Sequence, residues 1–251
     1  ALQRRARVPA VRIQAGQRLD AEKVNREWSD MRNLDPIPAI LTPRLWFPDP
    51  RLASKDGLLA VFGDLSVDRL LLAYRSGIFP WSVDPITWWS PDPRGIIEMA
   101  HFHTPRSLAR TLRQNVFEVT RDNAFRQVMK GCAKRDRSDT WIGPEFIEAY
   151  VRLHDAGHAH SVECWQDGEL VGGIYGVAVG GLFAGESMFH SVSDASKVAL
   201  HHLVHHLLRR EFALCDIQMV TPITRQLGAV EISRAEYLHR LAGAVELPRV
   251  F

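Results

Sequence analysis

Hydrophobic positions along this chain switch between two periods. From residue 160 to residue 189 they form short, nearly continuous apolar runs broken at Asp167-Gly168 and Gly180-Gly181. Both dipeptides favour tight hairpins, so HSVECW, ELVGGIYGVAV and LFAGESMF are predicted as consecutive antiparallel strands. LCDIQMV (residues 214–220) alternates instead: Cys215, Ile217 and Met219 are apolar, Asp216 and Gln218 polar. A two-residue period marks a half-buried strand and puts an acid and an amide side by side on one face. NVFEVT (115–120) reads as a further strand. Helical periods occupy other stretches. SVDRLLLAYRSG (66–77) has a Ser N-cap and a Gly stop. Thr104 and Pro105 are predicted to open a helix as N-cap and first helical residue, and Asp122 to cap the next. PEFIEAYVRLHDAG (144–157), a long helix from Asp194 and a short one in EISRAEYLHRLAG complete the set.

The organisation this predicts is a basic arm over residues 1–40, a small N-terminal domain over 41–94, and an α+β domain over 95–251 on a mostly antiparallel sheet. Pro36, Pro38, Pro43, Pro48 and Pro50 keep the start of the small domain extended, and IFPWSVDPITWWSPDPRG has few ways to be helical.

Composition narrows the function classes. The 251 residues are 46% apolar and 24% charged, with net charge +2, which describes a globular chain and excludes a polycation. Nucleic acid, if bound, must meet a local patch. Cys132, Cys164 and Cys215 form no C-x-x-C pair, so no disulfide framework or cysteine zinc site is indicated, and a reducing compartment fits. No apolar run is long enough to cross a bilayer. The first 18 residues carry five arginines, lack a signal-peptide apolar core and are expected to be a flexible basic arm, with an arm that touches RNA as the alternative.

Several residues carry candidate chemistry. Glu186 sits in GESMF among apolar neighbours, where an acid is costly unless paired or used. Arg106, Arg110 and Arg113 share one helix face while Leu108 and Leu112 take another, a stripe suited either to solvent or to a phosphate backbone. Gly172, Gly173, Gly176, Gly180 and Gly181 crowd one hairpin and mark a close approach by backbone or ligand, without phosphate-loop spacing. HHLVHH pairs His201 with His205 and His202 with His206 at a ligand spacing, but without H-E-x-x-H, and these histidines are expected to fill the polar side of a helix. Trp81, Trp88, Trp89 and Trp141 suit either a core or a stacked base.

Taken together, the pieces resemble the leucyl/phenylalanyl-tRNA protein transferases. The stretches that carry the resemblance are GDLS (63–66), AYRSGIFPW (73–81), WWSPDPR (88–94), TWI (140–142), LHDAGHAHSVE (153–163), DGELVGGIYGVA (167–178), GESMF (185–189), SDASKVAL (193–200), the D-x-Q of Asp216 and Gln218, and LGAVEISR (227–234). The resemblance implies a cytoplasmic enzyme with a small N-terminal domain and a GNAT-like acyltransferase domain. Such enzymes move Leu or Phe, and less readily Met, from aminoacyl-tRNA onto proteins with N-terminal Lys or Arg, marking them for the N-degron pathway. It implies neither metal nor coenzyme A, and no membrane. Carried over residue by residue, it makes Gln218 the acceptor beside the attacking amine and Asp216 the group that polarises it. Glu186 falls at the acceptor site. Ile174, Phe183 and Met188 fall in the amino-acid pocket, with Ile174 where relatives can carry Met. Trp81 and Trp141 flank the 3′ adenosine, and Arg106, Arg110 and Arg113 grip the acceptor stem.

Two departures stand out. Pro222 and Ile223 replace an Asp-His pair after D-x-Q, which opens the acceptor preference, and Phe62 stands where relatives usually have Gly. Two rivals remain. An acetyl-coenzyme A N-acyltransferase needs a pyrophosphate loop that is not evident here. A non-catalytic aminoacyl-tRNA binder would tolerate loss of Asp216 or Gln218.

Overall fold

The computed structural model describes residues 36–134 and 141–251. Most of the expected basic arm (residues 1–35) and Thr140 of the TWI motif lie outside the described residues. Strands β1 (Ala39–Leu41), β2 (Leu58–Phe62), β3 (Phe79–Val83) and β4 (Ile86–Trp89) form a four-stranded sheet in the order β1-β2-β4-β3. Helix α1 (Val67–Arg75) lies between β2 and β3, and the Ser66 hydroxyl accepts from the Arg69 N–H to cap it. The chain changes sheet between Trp89 and Arg94. Strands β5 (Arg94–Ile97), β6 (Glu118–Arg121), β7 (Ala159–Gln166), β8 (Glu169–Val179), β9 (Leu182–His190), β10 (Leu214–Gln218) and β11 (Ala229–Ile232) form the second sheet, ordered β11-β5-β10-β9-β8-β7-β6. Helices α2 (Arg106–Gln114), α3 (Phe125–Lys134), α4 (Pro144–Asp155), α5 (Ala195–Arg209), α6 (Pro222–Gln226) and α7 (Arg234–Ala244) join and cover these strands.

The second sheet is antiparallel except at β9–β10. Parallel neighbours need a crossover, and α5 supplies it. This gives an α+β architecture: a hairpin meander from β6 to β9, a helical crossover, and a strand laid parallel beside the meander. β8 is buried along nearly its whole length because helices cover both of its faces. Its glycines make room for them. A Cβ on Gly172 would lie 2.5 Å from the Cβ of Ala195 at the start of α5, and one on Gly173 would lie 3.0 Å from Val128 on α3. One on Gly176 would lie 2.3 Å from the Ala184 carbonyl oxygen. The crowding that the hairpin glycines signal is therefore with protein, not with a ligand.

The two sheets share apolar core. Leu70, Tyr74 and Trp88 from the first part belong to the same buried cluster as Phe146, Tyr150 and Tyr175 from the second. Two buried arginines bind carbonyl groups across the chain. Arg69 reaches the carbonyl oxygens of residues 42 to 44, and Arg234 on α7 reaches those of Pro50, Arg51, Ala53 and Ser54.

Two expected caps are corrected. Pro105, not Thr104, is the N-cap of α2, and the Thr104 hydroxyl lies 3.3 Å from His201 Nδ1. Asp122 does not cap α3. It adopts a positive φ and its carboxylate accepts from the Ser161 N–H at 2.9 Å, while buried Glu163 takes the Ala124 N–H. The helix expected from Asp194 starts there: Asp194 is the N-cap of α5, and its carboxylate binds Lys197 Nζ and the Thr111 hydroxyl.

These contacts predict opposite effects for two glycine substitutions. Gly176→Ala overpacks the sheet and lowers unfolding free energy by about 1–3 kcal/mol. Gly243→Ala, on an exposed face of α7 with nothing within 4 Å, raises it by about 0.5–1 kcal/mol. Urea unfolding midpoints of the two variants check both signs.

Candidate active site

The site is organised by a strand that breaks its own alternation. β10 pairs Asp216 with Ile96 and Gln218 with Gly95, so one extra residue intrudes and Gln218 takes φ 57°. Two local features permit this bulge. The Asp216 Oδ1 accepts the Gln218 main-chain N–H at 2.9 Å, an acid bonding the backbone two residues on. Gly95 has no side chain where a Cβ would lie 2.8 Å from the Met219 carbonyl carbon. The outcome corrects the expected shared face of Asp216 and Gln218. Ile217, Gln218 and Met219 all line one cavity, and Asp216 does not.

Asp216 is 0% exposed and fully engaged. Its Oδ1 accepts from Arg94 Nε at 2.9 Å, and its Oδ2 accepts from Arg94 Nη2 at 2.6 Å and from the Tyr237 hydroxyl at 2.9 Å. Arg94 is equally buried. Its Nη1 donates to the Gly77 carbonyl, and its guanidinium lies 5.0 Å from the Phe79 ring and 4.3 Å from the Tyr237 ring. Burial works against the Arg94 charge, but Asp216, Tyr237 and Glu186 together more than offset it, so the pKa of Arg94 rises. The sequence reading gave Arg94 no role, although it closes the WWSPDPR motif. The signal available in the sequence is a charged residue set just before the apolar pair of R-G-I-I.

The cavity is about 330 Å³, at the small end for ligand pockets. Its apolar wall includes Phe79, Trp81, Trp141, Ile174, Met188, Leu200 and Ile217. Trp81 leans edge-on against Trp89, and Trp141 edge-on against Phe146, so both indoles are braced from behind. Trp88, by contrast, is core: it is 0% exposed and its indole N–H donates to the Phe62 carbonyl. Phe183 is corrected as a lining residue. It is 1% exposed and stacks on Phe251 with ring centres 5.4 Å apart, within the buried cluster that also holds Ile174.

The polar groups of the cavity are few: Glu186, Ser187, Gln218, Thr221 and Thr224. Glu186 is the ionisable one. It accepts from Gln218 Nε2 at 3.0 Å. Tyr74 on α1 and Tyr150 on α4 hydrogen-bond each other and crowd the same carboxyl from behind. Burial pushes Glu186 up to about 8, against the downward pull of the Tyr74 hydroxyl, with Asp216 raising it and Arg94 and Tyr150 lowering it. A carboxyl of that pKa exchanges protons near neutrality.

The rebuilt segment after Gln218 is ordered by its own chemistry. Thr221 and Thr224 cap α6 reciprocally, and Pro222 fits its first turn. Ile223 and Met219 remain 38% and 47% exposed beside the cavity. Phe62 adopts φ 66°, the left-handed conformation that glycine takes without strain, and is half exposed. Arg106, Arg110 and Arg113 are exposed along α2, while Leu108 is buried beneath them. On α5, the His201 and His205 rings meet at a tilt with centres 4.3 Å apart, and burial lowers His201 and His206 to about 4. Among the described residues no group of three or more His, Cys, Asp or Glu side chains is placed to hold a metal, and no helix is long and apolar enough to cross a membrane.

The comparisons with known proteins assign this pocket, with its carboxamide and its carboxyl of raised pKa, to an aminoacyltransferase. Residues 96–242 match the leucyl/phenylalanyl-tRNA protein transferase model, and residues 63–92 match the model of that protein's N-terminal domain. The chain belongs to the leucyl/phenylalanyl-tRNA protein transferase family. A transferase of this name from Solidesulfovibrio magneticus is 56% identical over 205 residues, covering 80% of this chain and 83% of its own. Those from Syntrophobacter fumaroxidans (56%, 80% of this chain and 88% of its own) and Anaeromyxobacter sp. strain K (53%, 80% and 89%) are similarly close. Two solved structures align more loosely. A ribosomal-protein-alanine N-acetyltransferase from Brucella melitensis has TM-score 0.33 and 16% identity, over 42% of this chain and 81% of its own. The L-PGS of Bacillus licheniformis has TM-score 0.39 and 13% identity, over 66% and 54%.

The Glu186 environment makes a pH prediction. Its carboxyl binds a proton more tightly folded, at about 8, than at its ordinary 4.5. Between those values the folded chain holds more protons than the unfolded chain, so this group's contribution to stability falls as pH rises. Glu186→Gln removes that loss. The variant's melting temperature relative to the parent rises from pH about 5 to about 8, as measured by calorimetry across the range.

Proposed function

We propose that this aminoacyltransferase moves Leu or Phe, and less readily Met, from aminoacyl-tRNA to the α-amine of proteins whose N-terminal residue is Lys or Arg. The product enters an N-degron degradation route in the cytoplasm. One observation carries the reading: a small apolar cavity in which the Gln218 carboxamide is hydrogen-bonded to Glu186, its ionisable lining residue. The cavity suits an unbranched or branched apolar side chain or a single aromatic ring, and Met188 and Ile174 supply adaptable walls. Trp81 and Trp141 offer faces for the 3′ adenosine. Aligned guanidinium groups of Arg106, Arg110 and Arg113 suit the acceptor-stem phosphates, contacts that carry no sequence information.

In this reading the chemistry is aminolysis of an ester. The acceptor's ammonium, with an ordinary pKa of about 7.7–8.0, first loses a proton. Its nitrogen then attacks the ester carbonyl carbon. The C–N bond forms, the C–O bond to the ribose oxygen breaks, and an amine proton ends on that oxygen as a hydroxyl. Gln218 Oε1 accepts a hydrogen bond from the attacking nitrogen as positive charge develops there. Much of the acceleration comes from holding two substrates together. A negative or neutral Glu186, with no lysine or arginine among the lining residues, supports a cationic rather than an acidic acceptor.

The deciding assay mixes leucyl-tRNA with peptides beginning Lys, Arg, Asp or Glu. Transfer is expected to the first two, and transfer confined to Asp and Glu would mean that the segment around Pro222 has changed the acceptor class. Gln218→Ala is expected to cut transfer at least about 100-fold while tRNA binding changes little. Arg110→Ala is expected to weaken tRNA binding and reduce the slope of log affinity against log salt by roughly one, measured by filter binding over a salt series.

A further inference from the structure

The site contains two carboxylates near Gln218, and their hydrogen bonds separate their roles. An ionised carboxylate offers about four acceptor positions. Asp216 spends its positions on Arg94 Nε, Arg94 Nη2, the Tyr237 hydroxyl and the Gln218 main-chain N–H. Its contact with Gln218 is therefore to the backbone and not to the carboxamide. Glu186 makes the complementary contact: its Oε1 accepts from the carboxamide nitrogen, Gln218 Nε2, at 3.0 Å. A carboxylate accepting from an amide N–H draws electron density toward the amide oxygen, which is the atom the incoming amine needs as acceptor.

The backbone contact has its own purpose. Gln218 sits at φ 57°, a conformation that a non-glycine residue holds only when its surroundings impose it. Asp216 imposes it through the bond to the Gln218 N–H, and Arg94 fixes Asp216. The planar guanidinium forks onto both carboxylate oxygens, and a third nitrogen is anchored on the Gly77 carbonyl. The rings of Phe79 and Tyr237 pack against the same guanidinium, 5.0 and 4.3 Å from its carbon. Phe79 also lines the cavity, so the same clamp joins the pocket wall to the bulge.

We propose that Arg94 is a positioning residue for amino-acid transfer: through Asp216 it fixes the main chain at Gln218, and the polarising carboxylate of the Gln218 carboxamide is Glu186. The inference rests on the transferase function proposed above and adds a division of labour to it. Asp216 and Tyr237 act with Arg94 on geometry, and Glu186 acts on the electronic character of the acceptor oxygen. Lysine cannot reproduce the fork of Arg94, so Arg94→Lys loosens the bulge while keeping the buried charge.

The test uses the full chain labelled with ¹⁵N-glutamine, the Gln218 resonances being assigned by their loss in Gln218→Ala. The Gln218 side-chain amide signal is expected to titrate with pH in the parent and to stop titrating in Glu186→Gln. In Asp216→Asn and Arg94→Lys it should still titrate, while the Gln218 backbone signal moves. In transfer assays with leucyl-tRNA and a Lys peptide, Arg94→Lys and Asp216→Asn are expected to lower kcat about 10- to 100-fold with KM for leucyl-tRNA unchanged, the signature of lost alignment. Tyr237→Phe, which removes one hydrogen bond and keeps the ring, should lower kcat less, and it decides the question if Arg94→Lys does not fold. The proposal is overturned if the side-chain titration survives Glu186→Gln and vanishes in Asp216→Asn. It is equally overturned if a folded Arg94→Lys, or Tyr237→Phe in its place, keeps the parent kcat and backbone signal. A parent chain that transfers to no peptide sinks the functional reading instead, and the titration result still reports which carboxylate acts on Gln218.

Discussion

The buried ion pair between Arg94 and Asp216 is the constraint on which this site depends. Removing two charges from water is costly, and such a pair holds only when every donor and acceptor is matched. Here every guanidinium nitrogen and both carboxylate oxygens have a partner: two parallel bonds, a tyrosine hydroxyl, a carbonyl and a main-chain N–H surround the pair. Breaking one half would leave an uncompensated charge, at about 3–5 kcal/mol. The pair does little for net stability compared with an apolar substitute of the same volume. What it supplies is direction, because a carboxylate with its acceptors committed holds the neighbouring backbone in one conformation.

That arrangement shows why the pocket is built mostly from the sheet while its polar groups come from many elements. β10 supplies Gln218, β9 supplies Glu186, and α1 and α4 bring the tyrosines behind it. A carboxyl held near 8 needs a dry surrounding, and the shared core between the two sheets provides one. The same dryness sharpens any electrostatic contact made inside the cavity.

Much of this was legible in the residues. The hairpins at Asp167-Gly168 and Gly180-Gly181, the strand at 214–218 and the arginine face of α2 follow from local chemistry, since a turn dipeptide or an apolar stripe needs no distant partner. The missed points share a cause: each depends on a residue far away in sequence. The bulge at Gln218 needs Gly95 opposite it, and the turning of Phe183 into the core needs Phe251 behind it. Asp122 looked like a cap because Glu163, the acid that bonds the N–H at the helix start, lies on a neighbouring strand. Arg94 was visible as part of a motif but not as a partner, because 122 residues separate it from Asp216.

The position of β5 has a consequence for how the chain is made. This strand, Arg94–Ile97, is flanked on both sides by β10 and β11, which come more than a hundred residues later. On a ribosome it emerges early and waits, its edges unpaired, until those strands arrive. Pairing over such separations is slow because loop-closure entropy is met before any contact repays it. The charged clamp is therefore among the last features to assemble, so a nascent chain carries no competent pocket until its final third has left the exit tunnel.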